Sequence, residues 1–74
     1  MDGGIKIALE IDKMEKAGTI VTTKSILQAM KQHTLEEDEI LDILFSLTKQ
    51  DMLIRTYDDD LEEDIFKISR SENS

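Results

Sequence analysis

Thr34-Leu35-Glu36-Glu37-Asp38-Glu39-Ile40-Leu41-Asp42-Ile43-Leu44-Phe45-Ser46-Leu47-Thr48-Lys49-Gln50-Asp51 carries the marks of an amphipathic helix from end to end. Thr34 and Glu37 stand at capping-box spacing, where the hydroxyl accepts from the third helical N–H and the glutamate reaches back to the cap N–H. Glu36, Glu37, Asp38 and Glu39 crowd the first turn, at the positive end of the helix dipole, and Lys49 falls in the last. Ile40, Ile43, Leu44 and Leu47 recur at the spacing of a buried stripe. Leu41 and Phe45 widen that stripe to about half the circumference, at ~100° per residue. Asp38, Glu39, Asp42, Ser46 and Lys49 share the other side. So wide a stripe implies a helix covered on two sides, the plainer reading, or one whose flank is open to a partner. Phe45, at the stripe's edge, is the residue that marks the second.

Outward from this helix the pattern changes. Met52–Tyr57 has strand composition, Asp58–Asp64 is a polar loop holding six carboxylates and Leu61, and Ile65–Ile68 is a second strand. Two strands about such a loop predict a hairpin longer than the tight two-residue kind. Toward the N-terminus, Thr23 is placed to cap a helix through His33, with Ile26, Leu27 and Met30 inward. Thr19-Ile20-Val21-Thr22 is β-branched throughout and suits a short strand. Ile5–Ile11 fits both periods. Ile5, Ile7, Leu9 and Ile11 alternate as a strand would, while Ile7, Ala8, Ile11 and Met14 lie on one helical face. Strong helix formers to Ala17 and then Gly18, a C-cap glycine, decide for helix. Met1–Gly4 and Ser69–Ser74 are expected to be loose ends.

Helix, short strand, helix, turn, helix and hairpin over about Ile5 to Ile68 resembles a winged-helix domain. The resemblance implies an α+β fold with three helices, a short strand and a C-terminal two-stranded wing, in one domain over 1–74. Thr34–Asp51 would then correspond to the recognition helix and Asp58–Asp64 to the wing. In DNA-binding members these two elements meet the major groove and the adjacent backbone. Members without DNA-binding charge resemble the interaction modules of transcription and replication machinery, where the same surface docks on another protein.

Charge separates these alternatives. The chain of 74 residues has a net charge of −8, with an acid excess confined to one half. Residues 1–34 hold five lysines against four carboxylates, and residues 35–74 hold four cations against thirteen carboxylates. Duplex affinity comes from Lys and Arg neutralising phosphates. The outward side of the central helix and the loop offer carboxylates instead, and a Debye length of about 8 Å does not screen groups in contact. The expectation is a protein-protein interaction module meeting a basic partner through Asp38, Asp42, Phe45, Asp58, Asp59, Asp60, Leu61 and Glu62. Leu41 and Tyr57 could add apolar area, although packing onto the sheet is the plainer reading for Tyr57 and Leu61. The alternative is a DNA-associated regulator, dimeric in one version, that presents Lys13, Lys16, Lys24 and Lys31.

Nothing in the residues points to catalysis, a cofactor or a metal. There is no cysteine, which removes disulfides, thiolate sites and thiol nucleophiles. His33 is a lone histidine and reads as a surface residue at a helix end. The acidic loop lacks the glycine a calcium-binding EF-hand loop needs. There is no phosphate-cradling glycine loop. With no run approaching the ~20 apolar residues of a membrane span, an intracellular protein, cytoplasmic or nuclear, is the expectation.

Overall fold

The computed structural model describes residues 2–69. Three helices and an antiparallel hairpin follow one another: α1 (Asp2–Lys16), α2 (Thr23–Ala29) with a 3-10 turn at Met30–Gln32, α3 (Glu37–Lys49), β1 (Leu53–Asp58) and β2 (Glu63–Ile68). The class is α+β, as expected. Met1 and residues 70–74, part of the loose ends expected from the sequence, lie outside the described residues.

α1 starts earlier than its composition predicts, because Asp2–Gly4 is helical. Gly3 and Gly4 lower helix propensity, but they also let α1 lie close to α3. A Cβ on Gly3 would sit 2.8 Å from Ile43 Cδ1 and 3.7 Å from Leu35 Cδ1. Tertiary packing therefore overrides propensity here. The ambiguous alternation of Ile5–Ile11 resolves into two faces of one helix: Ile7 and Ile11 are fully buried, while Ile5 and Leu9 face outward. Lys16 meets Asp12 at 3.0 Å, the i, i+4 pair the sequence allows.

α1 ends in a Schellman motif. Thr19 N–H donates to Met14 C=O at 2.9 Å and Gly18 N–H to Glu15 C=O at 3.1 Å, with Gly18 at φ 77°. α3 ends the same way, through Met52 N–H to Leu47 C=O at 2.9 Å and Asp51 N–H to Thr48 C=O at 3.1 Å. There the left-handed residue is Asp51, at φ 62°.

Both expected N-caps shift. Thr22, not Thr23, caps α2: its Oγ1 accepts from Ser25 N–H at 3.1 Å, and Ser25 Oγ accepts from Thr22 N–H at 2.8 Å. This reciprocal box needs a side chain at the third helical position that Thr23 would not have found at Ile26. The α-helix closes at Ala29 and tightens into the 3-10 turn before His33. In α3 the cap is Glu36, whose N–H donates to Glu39 Oε1 at 3.2 Å. The Thr34–Glu37 box does not form, because Leu35 turns in against Gly3 and takes Thr34 out of the helix.

The hairpin pairs Leu53 with Ile68 through Asp58 with Glu63, so its loop spans only Asp59–Glu62. Asp58, Glu63 and Asp64, expected in the loop, belong to the strands. Thr19–Thr22 does not form the expected strand. It contributes one bridge, Thr22 to Ile65, with Phe66 N–H donating to Val21 C=O at 2.8 Å. Commitment of Thr22 to the α2 cap stops the pairing there. β2 thus has neighbours on both sides, while β1 is an edge. The alternation of an antiparallel ladder turns the N–H and C=O of Leu53, Arg55 and Tyr57 away from β2.

The core collects Ile7 and Ile11 from α1, Val21 from the segment before α2, Ile26 from α2, Met30 from the 3-10 turn, Ile40 and Leu44 from α3, and Leu53 and Phe66 from the hairpin. Each such side chain contributes about 1.5–3 kcal/mol by leaving water. Glu15 Oε2 accepts from Ile68 N–H at 2.9 Å and so ties the end of β2 to α1.

The two helix ends predict opposite responses. Gly18→Ala should destabilise by about 1 kcal/mol, since no strain-free side chain fits φ 77°. Asp51→Gly should stabilise by about 0.5–1 kcal/mol, by removing the cost of a left-handed aspartate. Urea unfolding midpoints at constant slope measure both.

Candidate interaction surface

α3 presents its second face to solvent. At about 100° per residue, Asp38, Asp42, Phe45 and Lys49 fall within a narrow stripe opposite the buried Ile40 and Leu44. All four are exposed. Phe45 is 60% exposed and Leu41, beside it, 40%. The plainer expectation, a helix covered on two sides, therefore fails, because the flank is open. The cause is the phase of the stripe: Phe45 sits five residues past the buried Ile40, too far round to reach the core. Lys49 Nζ lies 5.7 Å from the Phe45 ring centroid, a cation–π contact one turn along.

The hairpin loop holds the second acidic set. Asp59, Asp60, Leu61 and Glu62 are exposed. Asp58 is half-buried and turned to internal use: its Oδ1 accepts from Asp60 N–H at 2.8 Å and Leu61 N–H at 3.0 Å. Glu62, at φ 55°, closes the turn through its N–H to Asp58 C=O at 2.7 Å. Leu61 and Tyr57 do not fold back onto the sheet as expected and stay largely exposed. The pleat places Tyr57 beyond Arg55, past the end of the core. Asp64, opposite Tyr57, stands 4.0 Å from Arg55. Among the described residues no hydrogen bond or ion pair joins the α3 stripe to the loop, so the two sets are carried independently.

The lysines of the alternative reading are spread over three elements: Lys13 and Lys16 on α1, Lys24 on α2 and Lys31 in the 3-10 turn. Lys13 lies 3.7 Å from Glu10, and Lys16 pairs with Asp12. Two of the four cations are thus partly answered within the chain.

A polar cluster that the sequence reading missed lies under α1. Glu10 is 9% exposed. Its Oε2 lies 3.3 Å from His33 Nε2 and 3.4 Å from Gln32 Nε2. His33, expected at the surface, is half-buried because the chain leaving the 3-10 turn lays the imidazole over Glu10. The available signal was spacing: Glu10 falls three residues after Ile7 and four before Met14, on the inward side. Among the described residues no group of three or more His, Asp or Glu could hold a metal ion. No helix is long and apolar enough to cross a membrane.

Comparison with protein-family models, curated proteins and solved structures gives no match for this chain.

The geometry separates structural from surface carboxylates. Glu10→Ala takes away the partner of the half-buried His33 ring and should cost about 1 kcal/mol. Phe45→Ala and Asp42→Ala should stay within about 0.5 kcal/mol of the parent, as exposed positions do. Thermal or urea unfolding of the three variants checks the ranking.

Proposed function

We propose that the chain is a non-enzymatic interaction module of winged-helix type that docks on a basic protein through α3 and the hairpin loop. Three helices followed by a hairpin, with Val21–Thr22 joining the edge of β2, support the winged-helix reading. The observation that carries the function is Phe45, an exposed aromatic that shares the outward stripe of α3 with Asp38 and Asp42. An aromatic anchor with Leu41 beside it supplies apolar contact, and the carboxylates around it steer a cationic surface and reject an anionic one. Asp59, Asp60 and Glu62 add a second acidic contact, with Leu61 as its apolar point. The setting implied by the winged-helix resemblance alone is a transcription or replication complex inside the cell, or a small modulator of one. Direct DNA contact through Lys13, Lys16, Lys24 and Lys31 is disfavoured by the internal partners of two of them.

Two measurements test the reading. An anisotropy titration with random duplex DNA at low salt should give no saturable binding. Micromolar binding that weakens steeply with salt would replace this proposal with the nucleic-acid one. In affinity capture, changing Asp38, Asp42 and Asp59 together to Lys should remove the bound partner while circular dichroism stays unchanged. Phe45→Ala should weaken capture at least tenfold, the loss of about 1.4 kcal/mol or more expected of an anchor. Capture that survives both changes would reduce the acidic stripe to a solvated surface.

A further inference from the structure

β1 is left open along its outer side. Ile54, Arg55, Thr56 and Tyr57 are exposed in succession, while every residue of β2 but Lys67 is buried or half-buried. The main-chain N–H and C=O of Arg55 and Tyr57 point away from β2 and meet no partner among the described residues. Proteins close such edges with a proline, a bulge, a lysine or a covering element. β1 contains no proline and no lysine, and its register with β2 runs without a bulge. The charge of Arg55 is partly answered by Asp64 at 4.0 Å. Carboxylates stand at both ends of the open side: Asp51 precedes it, and Asp59, Asp60 and Glu62 follow it, all exposed. Between these ends Ile54 and Thr56 lie on one face, beside a shallow hollow shared with Ile20 and Ile65, and Arg55 and Tyr57 lie on the other.

We infer that β1 accepts an extended segment of a partner protein as an added strand, one with an apolar middle and lysine or arginine at both ends. Main-chain pairing with Arg55 and Tyr57 supplies the affinity, and the alternating side chains supply the selectivity. Charge at the two ends chooses the occupant. A second copy of this chain is turned away in either direction. An antiparallel β1 brings its Asp51 to the other's Asp59 and Asp60, and a parallel one sets acid loop on acid loop, between chains of net charge −8. A polyanion is rejected for the same reason. A helix satisfies its main-chain groups within itself and would leave Arg55 and Tyr57 unpaired. A cationic strand meets both demands, a carboxylate at each end and main-chain partners between. The inference rests on the reading above for the charge of the partner, and it adds a site on β1 that α3 does not share.

Amide hydrogen exchange of the full chain, followed by NMR, tests it with a synthetic peptide of alternating valine and threonine bearing paired lysines at each end. At saturating peptide the Arg55 and Tyr57 amides should slow about tenfold or more, while those of α3 keep their rates. The same peptide with glutamates in place of lysines should not bind, nor should a lysine version N-methylated throughout. Arg55→Pro removes an outward N–H that the β1–β2 ladder does not use. It should weaken peptide binding about tenfold or more with circular dichroism unchanged. Arg55→Ala keeps that N–H and removes a positive charge, so its binding should hold or tighten. Absence of binding would overturn the inference. So would equal binding by the lysine and glutamate peptides, by the N-methylated peptide, or by the two Arg55 variants. Slowing confined to α3 and lost on Phe45→Ala would remove the added strand and leave the proposed function standing. Slowed Arg55 and Tyr57 amides, together with partner capture that survives the changes at Asp38, Asp42, Asp59 and Phe45, would keep the strand site and remove the one on α3.

Discussion

The packing of α1's inward side against everything else is the constraint on which the molecule depends. Ile7 and Ile11, with no solvent exposure, sit where α2, α3 and β2 converge. A domain of this size buries only about 60% of its unfolded surface, so few side chains bear most of the stability. The close approach at Gly3, the Glu15 link to Ile68 and the Glu10 cluster all radiate from the same helix. Loosening α1 would release the helix pair and the hairpin together, which makes cooperative, two-state unfolding the expected behaviour.

Carboxylates fall into two populations by what surrounds them. Glu10, Glu15 and Asp58 are turned inward or sideways to accept hydrogen bonds that the backbone or neighbouring side chains would otherwise lack. Asp38, Asp42, Asp59 and Asp60 are exposed, and their effect is a field at the surface. Only the second population can shape which molecules approach. Composition alone pools the two and overstates how much of the acid is available to a partner.

Much of this arrangement was legible in the residues, and the failures have identifiable causes. Helix and strand periods gave all three helices, the hairpin and the inward stripe of α3. Helix boundaries moved wherever a tertiary contact competed with a local signal: Gly3 against Ile43, Leu35 turned inward, and Thr22 taken by the α2 cap. The hairpin loop shrank from seven residues to four because acidic composition does not prevent Asp58, Glu63 and Asp64 from pairing. Phe45 and Leu41 were seen, but their exposure depended on how far the neighbouring elements reach around α3. The pairing of Glu10 with His33 was not legible, because the two lie 23 residues apart and meet only in the folded chain.

β1 leaves one further mark on the molecule. Its outer edge carries the main-chain groups of Leu53, Arg55 and Tyr57 with no strand beside them among the described residues, and such rims template lateral growth into ribbons. What guards this rim is mutual repulsion between chains of net charge −8, together with the Arg55 side chain standing on the strand. Concentrated salt or mild acid weakens the repulsion while leaving the rim intact, so the solubility of this protein is tied to the same surplus of carboxylates that shapes its surface.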